Sequence, residues 1–152
     1  MSLPSPIALD TNCFIYAFEG GDTDRGAWLA ERVFRSLAAG HLRAMTATLT
    51  IAELLTLAYR RGERSQAALL RSAVEGLPNL ALRGLDVNIA DRAAALRGAS
   101  RLSLGDAVHL ATAECAGAAG FLTNDRQLAS QPADLAVLVL DDLVAQDSRR
   151  AR

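Results

Sequence analysis

Ile7-Ala8-Leu9-Asp10-Thr11-Asn12 is the stretch that decides the fold class. Its apolar part is short, lacks polar alternation, and ends in a carboxylate followed by two hydrogen-bonding side chains. Such a run fits a strand buried on both faces of a sheet. A carboxylate closing it fits the carboxyl edge of that strand, where open α/β sheets place their ligands. Phe121-Leu122-Thr123-Asn124-Asp125 repeats the pattern.

Working outward, strand-like and helix-like segments alternate. Ile7–Leu9 leads into a short helix through Cys13 to Phe18, broken by Gly20-Gly21-Asp22. The spacing of Trp28, Leu29, Val33, Phe34 and Leu37 predicts a helix over about 24–39, with Gly40 as its C-terminal stop. Residues 42–47 read as a strand and 50–61 as a helix. After Gly62 a helix spans 63–75, ended by Gly76 and Pro78. A strand over 79–85, a helix over 87–96 and a Gly98-Ala99-Ser100 loop precede a helix opened by Ser103. A strand at 121–123, a helical turn at 125–128 and a last strand at 136–140 complete the pattern. The expectation is one α/β domain over 1–147, with about five mainly parallel strands and helices on both faces, and a frayed polar tail at 148–152.

Composition narrows the chemistry. With 152 residues and 51% hydrophobic content the chain suits a single domain with a substantial core. No apolar run approaches the roughly 20 residues of a membrane span, and the start lacks a basic leader region, so a cytoplasmic protein is expected. Cys13 and Cys115 have neither metal-type nor disulfide-type spacing. The formal net charge is −1 and all 16 basic residues are arginine. Without lysine there is no P-loop lysine, Schiff base or ammonium general base. Arginine still binds phosphate through its planar fork.

Four acids stand beside apolar runs: Asp10, Glu53 in Thr50–Leu55, Asp106 in Leu104–His109, and Asp125. Glu53 and Asp106 are expected in the first turns of helices that begin at the edge where Asp10 and Asp125 end their strands. Each has an innocent reading. Thr50-x-x-Glu53 and Ser103-x-x-Asp106 fit the capping box, and Asp10 and Asp125 can cap the helices that follow. Brought together, four carboxylates repel by about 4 kcal/mol per close pair at an effective dielectric near 20, which a divalent cation relieves. Thr11, Asn12, Thr123 and Asn124 are candidates to orient the acids or to cap helices. His109 reads first as a packed, hydrogen-bonded histidine. Arg126, with Arg60, Arg61, Arg64 and Arg71, supplies candidate phosphate contacts, although Glu63 and Glu75 interleave with the latter group.

These motifs, in this order, resemble the PIN-domain ribonucleases, most closely the VapC-type toxins. The most specific match is Leu104-Gly105-Asp106-Ala107-Val108-His109-Leu110-Ala111-Thr112-Ala113. Leu9–Asn12, Thr50–Leu55 and Leu122–Asp125 resemble the other three motifs. The resemblance implies that Asp10, Glu53, Asp106 and Asp125 hold Mg²⁺ or Mn²⁺ and catalyse phosphodiester hydrolysis by water. It further implies an RNA substrate, a small antitoxin partner and a homodimer. The alternatives are a housekeeping PIN nuclease and a noncatalytic PIN-like module that binds RNA or protein. A haloacid-dehalogenase-like phosphatase is disfavoured, since Asn12 stands where its second aspartate belongs and lysine is missing. A phosphoryl-receiver domain also lacks its lysine.

Overall fold

The computed structural model describes residues 2–19, 23–131 and 133–152. The expected break at Gly20-Gly21-Asp22 lies outside these. Five strands form one sheet: β1 (Ile7–Leu9), β2 (Ala44–Ala47), β3 (Leu80–Arg83), β4 (Gly120–Thr123) and β5 (Val137–Val139). Their order is β3-β2-β1-β4-β5 and every pairing is parallel. The chain builds outward from β1 through β2 to β3, then restarts on the other side of β1 with β4. The reversal opens a crevice at the carboxyl ends of β1 and β4.

Helices cover both faces, as the sequence predicts. On one face lie α1 (Thr11–Glu19), α2 (Asp24–Leu29), α3 (Arg35–Ala38), α4 (Leu49–Arg60) and α5 (Arg64–Glu75). Their core with Ile7, Leu9, Ala44 and Leu122 includes Phe14, Leu29, Val33, Leu37 and Leu54. On the other face α6 (Val87–Gly98) and α7 (Leu104–Cys115) pack on Ala8, Met45 and Phe121. The alternation of Ile7, Ala8 and Leu9 between the two cores is the period-two geometry of a strand. Small residues, Ala93, Ala107 and Ala111, are fully buried against the second face. Between α1 and α2–α3 the rings of Phe14, Phe18 and Phe34 lie 6.0–6.1 Å apart by centroid, within aromatic contact range.

The single helix expected over 24–39 is α2 and α3 joined by a π-helical segment, Ala30–Phe34. It ends where expected: Gly40 has φ +74°, the left-handed conformation that glycine adopts without strain. Helix α6 runs through Gly98, two residues further than expected, and Ala99 and Ser100 lie beyond it. One helix is missing from the sequence reading altogether. Beyond α8 (Arg126–Ala129) and β5, a helix α9 (Leu140–Arg150) begins directly at the strand end. The tail expected to fray after Asp147 is therefore its last turn. Val139 offers no capping side chain and no loop separates strand from helix, so the usual start signals are missing. Leu140 and Leu143 are buried, and Asp147 accepts a hydrogen bond from the Trp28 indole at 2.9 Å.

Candidate active site

Asp10 leaves β1 at the crevice between β1 and β4. It is 7% exposed, and its oxygens are held from several directions. Oδ1 accepts from the Thr11 N–H at 2.8 Å. Oδ2 accepts from the Thr123 hydroxyl at 2.7 Å and from the Asn12 amide at 3.3 Å. Asn12 also donates to Thr123 at 3.3 Å, so neighbouring strand ends fix one carboxylate. Burial pushes the Asp10 pKa above its ordinary value; the hydrogen bonds and the His109 charge oppose the rise, and the Asp106 charge adds to it. A carboxylate in this position is incompletely compensated by protein alone.

Glu53 corrects the capping-box reading. Helix α4 starts earlier than expected, at Leu49 with Thr48 before it, so Glu53 lies in its second turn and Thr50 inside its first. Thr50 is fully buried. Its hydroxyl sits 2.8 Å from that of Thr46 and 3.2 Å from that of Thr11, and Thr46 donates to the Leu9 carbonyl at 2.8 Å. Glu53 points inward along this hydroxyl chain: Oε1 accepts from Thr11 at 3.0 Å and pairs with His109 Nε2. The bond from His109 holds the Glu53 pKa below its ordinary value despite partial burial.

His109 is packed and hydrogen-bonded, as read from sequence, yet it also faces the crevice. Nε2 lies 3.4 Å from the Thr11 hydroxyl and 4.0 Å from Asp10 Oδ1. Burial acts to lower its pKa, but the bond to Glu53 and the charges of Asp10, Glu53 and Asp106 outweigh it, and the net shift is upward. A spacing of three from Asp106 places the two side chains on one helical face; it does not reveal that Glu53 waits opposite.

Asp106 lies in the first turn of α7, as expected. The Ser103 hydroxyl caps that turn, accepting from the Asp106 N–H at 3.1 Å. The reciprocal half of the capping box is not formed. Among the described residues the Asp106 carboxylate accepts no protein hydrogen bond. Asp125 does act as a cap: it precedes α8 and accepts from the Gln127 N–H at 2.9 Å. The structure thus brings Asp10 and Glu53 to His109, with the charge of Asp106 acting on Asp10 and His109, while among the described residues Asp125 bonds only to Thr123 and the start of α8. Among the described residues no three His, Cys, Asp or Glu side chains close into a ready-made cage for an ion. The acids form an open rim.

The flanking candidates divide as sharply. Thr11, Asn12 and Thr123 bond to the acids, whereas Asn124 accepts from the Asp141 N–H at 3.0 Å and helps start α9. Arg126 is committed to Asp142 through contacts of 2.7 and 3.1 Å. Arg60, Arg61 and Arg64 are exposed at the far end of α4 and the start of α5, Arg60 being seven residues past Glu53, about 10 Å along a helix that runs away from the crevice. Arg71 pairs with Glu75 on α5. Sequence reasoning missed Thr46 and the inward role of Thr50. No helix among the described residues is long and apolar enough to cross a membrane.

Comparison with known proteins bears on the fold. No curated protein matches the chain significantly. Several solved structures share its fold. A toxin–antitoxin complex from Klebsiella pneumoniae has 21% identity and a TM-score of 0.63, the match covering 88% of this chain and 97% of that one. VapBC2 from Rickettsia felis, bound to a promoter DNA fragment, has 17% identity and a TM-score of 0.68 at the same coverage. VapC20 of Mycobacterium tuberculosis, a toxin that cleaves the sarcin–ricin loop, has 17% identity and a TM-score of 0.60, covering 82% of this chain and 95% of that one. Residues 7–133 match the PIN domain family, a span that runs from β1 past α8 and takes in all four acids; the chain belongs to the PIN domain family.

Proposed function

We propose that this protein is a metal-dependent endoribonuclease that hydrolyses RNA phosphodiesters with water as the nucleophile, and that it is the toxin of a type II toxin–antitoxin pair. The observation that carries the reading is Asp10, a buried carboxylate at the topological switch point, held in place by Thr11, Asn12 and Thr123. The donor set is made of oxygens and suits a hard cation. Mg²⁺ takes oxygen ligands at about 2.0–2.1 Å, keeps several waters and needs only one or two carboxylates, a demand that an open rim meets. Asp10 and Asp106 would hold Mg²⁺ or Mn²⁺, joined by Glu53 and Asp125. When bound, such an ion acidifies water and neutralises charge developing on a phosphate.

The chain's own groups prepare that chemistry. Thr11, Asn12 and Thr123 keep Asp10 in one orientation, so little reorganisation remains when charge changes nearby. Glu53 shares Oε1 between the Thr11 hydroxyl and His109 Nε2, which holds a proton at that oxygen and leaves Oε2 without a protein partner among the described residues. The Cys13 thiol is no candidate for a covalent nucleophile: it is fully buried, and burial pushes its pKa far up. Unpaired RNA is the substrate class that fits, since a looped backbone brings its phosphate to an open rim more readily than a duplex does.

The fold shared with a toxin–antitoxin complex and with a toxin that cleaves the sarcin–ricin loop supports the toxin role and an antitoxin partner; a small antitoxin, a homodimer and a cytoplasmic setting complete the proposal. Among the apolar side chains of α2 and α4 that a partner could meet, Leu54 is buried and Trp28 is engaged with Asp147, while Leu57 remains 46% exposed. Cleavage of single-stranded RNA with Mg²⁺, with Mn²⁺ and with chelator tests the proposal. Cleavage that needs the ion, and disappears in Asp106→Asn, is the expected result. A folded protein that binds RNA without cutting it in Mn²⁺ would instead be the noncatalytic module. Light scattering tests the dimer, which a monomer at high concentration would exclude.

A further inference from the structure

A cavity of about 460 Å³ opens beside Asp106, between the start of α7 and α8. Its volume lies within the roughly 300–1,000 Å³ of small-molecule sites. Arg101, Ser103, Asp106, Gln127, Ser130 and Gln131 line it, and buried Leu102 gives it an apolar wall. Apart from Asp106 the polar lining is amide, hydroxyl and guanidinium, a chemistry unlike the acids next door.

The hydrogen bonds within this wall are only partly used. Gln131 Nε2 donates to the Gln127 carbonyl at 2.8 Å and Ser130 Oγ donates to the same carbonyl at 3.0 Å. These bonds anchor Gln131 and leave its Oε1 as an acceptor. Among the described residues the Gln127 side-chain amide makes no protein hydrogen bond and Arg101 has no ion-pair partner. Two glutamines therefore present both donors and acceptors into the cavity, the complement of an uncharged base edge. Arg101 adds a fork suited to phosphate. The arginines named from sequence as phosphate contacts are paired, like Arg126, or lie toward the other edge of the sheet; Arg101 stands at the cavity that Asp106 joins.

We propose that this cavity is a nucleotide subsite, in which Gln127 and Gln131 read the base next to the scissile bond and Arg101 takes the adjoining phosphate. The inference rests on the nuclease reading for its substrate class. Arg101 and Gln127 are exposed and Gln131 is partly so, and none belongs to the acid cluster, so their alanine variants should fold, which circular dichroism checks.

The test is binding of fluorescent oligo-A, oligo-C, oligo-G and oligo-U RNA to the full chain in chelator, followed by anisotropy. Wild type should prefer one oligonucleotide several-fold, and Gln127→Ala with Gln131→Ala should flatten that preference. Arg101→Ala should weaken all four alike and reduce the salt dependence by about 0.7, the contribution of one phosphate in single-stranded nucleic acid. Wild type that binds none of them, or binds all equally, overturns the subsite; so does an order of preference that survives the double substitution. Cleavage in Mn²⁺, run in parallel, isolates the nuclease reading. Base preference lost in the double variant with no cleavage by wild type would sink that reading alone. Cleavage at unchanged sites by all the variants would sink the subsite alone.

Discussion

The inner and outer halves of the site are built on different physical terms. On the inner side Asp10, Thr11, Thr50, Thr123, Glu53 and His109 satisfy one another, and no buried side-chain nitrogen or oxygen lacks a partner among the described residues. On the outer side Asp106 has a carboxylate unbonded among the described residues, Asp125 spends an oxygen on a helix cap, and Arg126 is held by Asp142. A satisfied buried network is rigid, and breaking it leaves a polar group stranded. An open rim reorganises cheaply. The division suggests that the inner half sets geometry and the outer half receives what arrives.

The largest effect should come from the acids that join the halves. Asp10→Asn and Asp106→Asn should each lower RNA cleavage by at least about a hundredfold, because charge-stabilising groups acting as a unit fail together. Single-turnover cleavage in Mn²⁺ reads this directly. Asp125→Asn should be milder, since asparagine still caps α8. If Asp125→Asn proves as damaging as Asp106→Asn, the outer margin belongs to the working set and the division is drawn in the wrong place.

Next in size is stability linked to the ion. Bound Mn²⁺ should add about 2.7 kcal/mol at a hundredfold excess over its dissociation constant, seen as a rise in Tm. Asp106→Asn should remove most of that rise. In chelator the same substitution should change Tm little, because the Asp106 charge opposes ionisation of Asp10 and favours charged His109. A wild type that melts identically with Mn²⁺ and with chelator would show that the acids hold no ion.

The inner half should answer to pH. Glu53 has a lowered pKa, so its contribution is present above its unfolded value of about 4.3 and is lost as pH falls through the folded value. His109 has a raised pKa, so its contribution is complete below about 6.5 and is lost as pH rises through the folded value. Their joint contribution is therefore greatest in mildly acidic solution. His109→Ala should cost about 1–3 kcal/mol there, the range for stranding buried polar partners, and less in alkali. Denaturant titrations at several pH values measure it. A cost that does not vary with pH would mean His109 contributes packing alone.

How far the sequence carries can be judged from these same residues. Ile7–Asp10 and Phe121–Asp125 announce a parallel strand with an acid at its edge because uniform apolar runs leave few other structures open. Ser103 announces its helix because a cap is a local device. Glu53 was harder: Thr50-x-x-Glu53 imitates a capping box, and only the true start at Leu49 turns Thr50 inward and Glu53 toward His109. The pairing of residues 53 and 109 is a tertiary fact that neither helix encodes alone. Helix α9 escaped because it follows β5 without cap or loop. Arg126 shows the reverse failure, since its chemistry is plain and its engagement with Asp142, sixteen residues on, is not.

That ion pair gives the smallest expected effect and the finest test of the outer half. Arg126 and Asp142 are both well exposed, and exposed pairs exchange readily for other partners. An RNA phosphate can therefore take Arg126 from Asp142 if the strand passes that way. Asp142→Ala should free the guanidinium and remove a repelling charge without touching the acids. RNA affinity should rise modestly, and its dependence on salt should steepen by about 0.7 for the added single-strand phosphate contact. Anisotropy titrations at two salt concentrations, in chelator to prevent cleavage, measure both quantities. Arg126→Ala supplies the opposite arm, with weaker binding and a shallower slope. If neither variant changes the slope, RNA does not reach Arg126. The strand would then enter from the Arg101 side of Asp106, and the Arg126–Asp142 pair would serve only to hold α8 against α9.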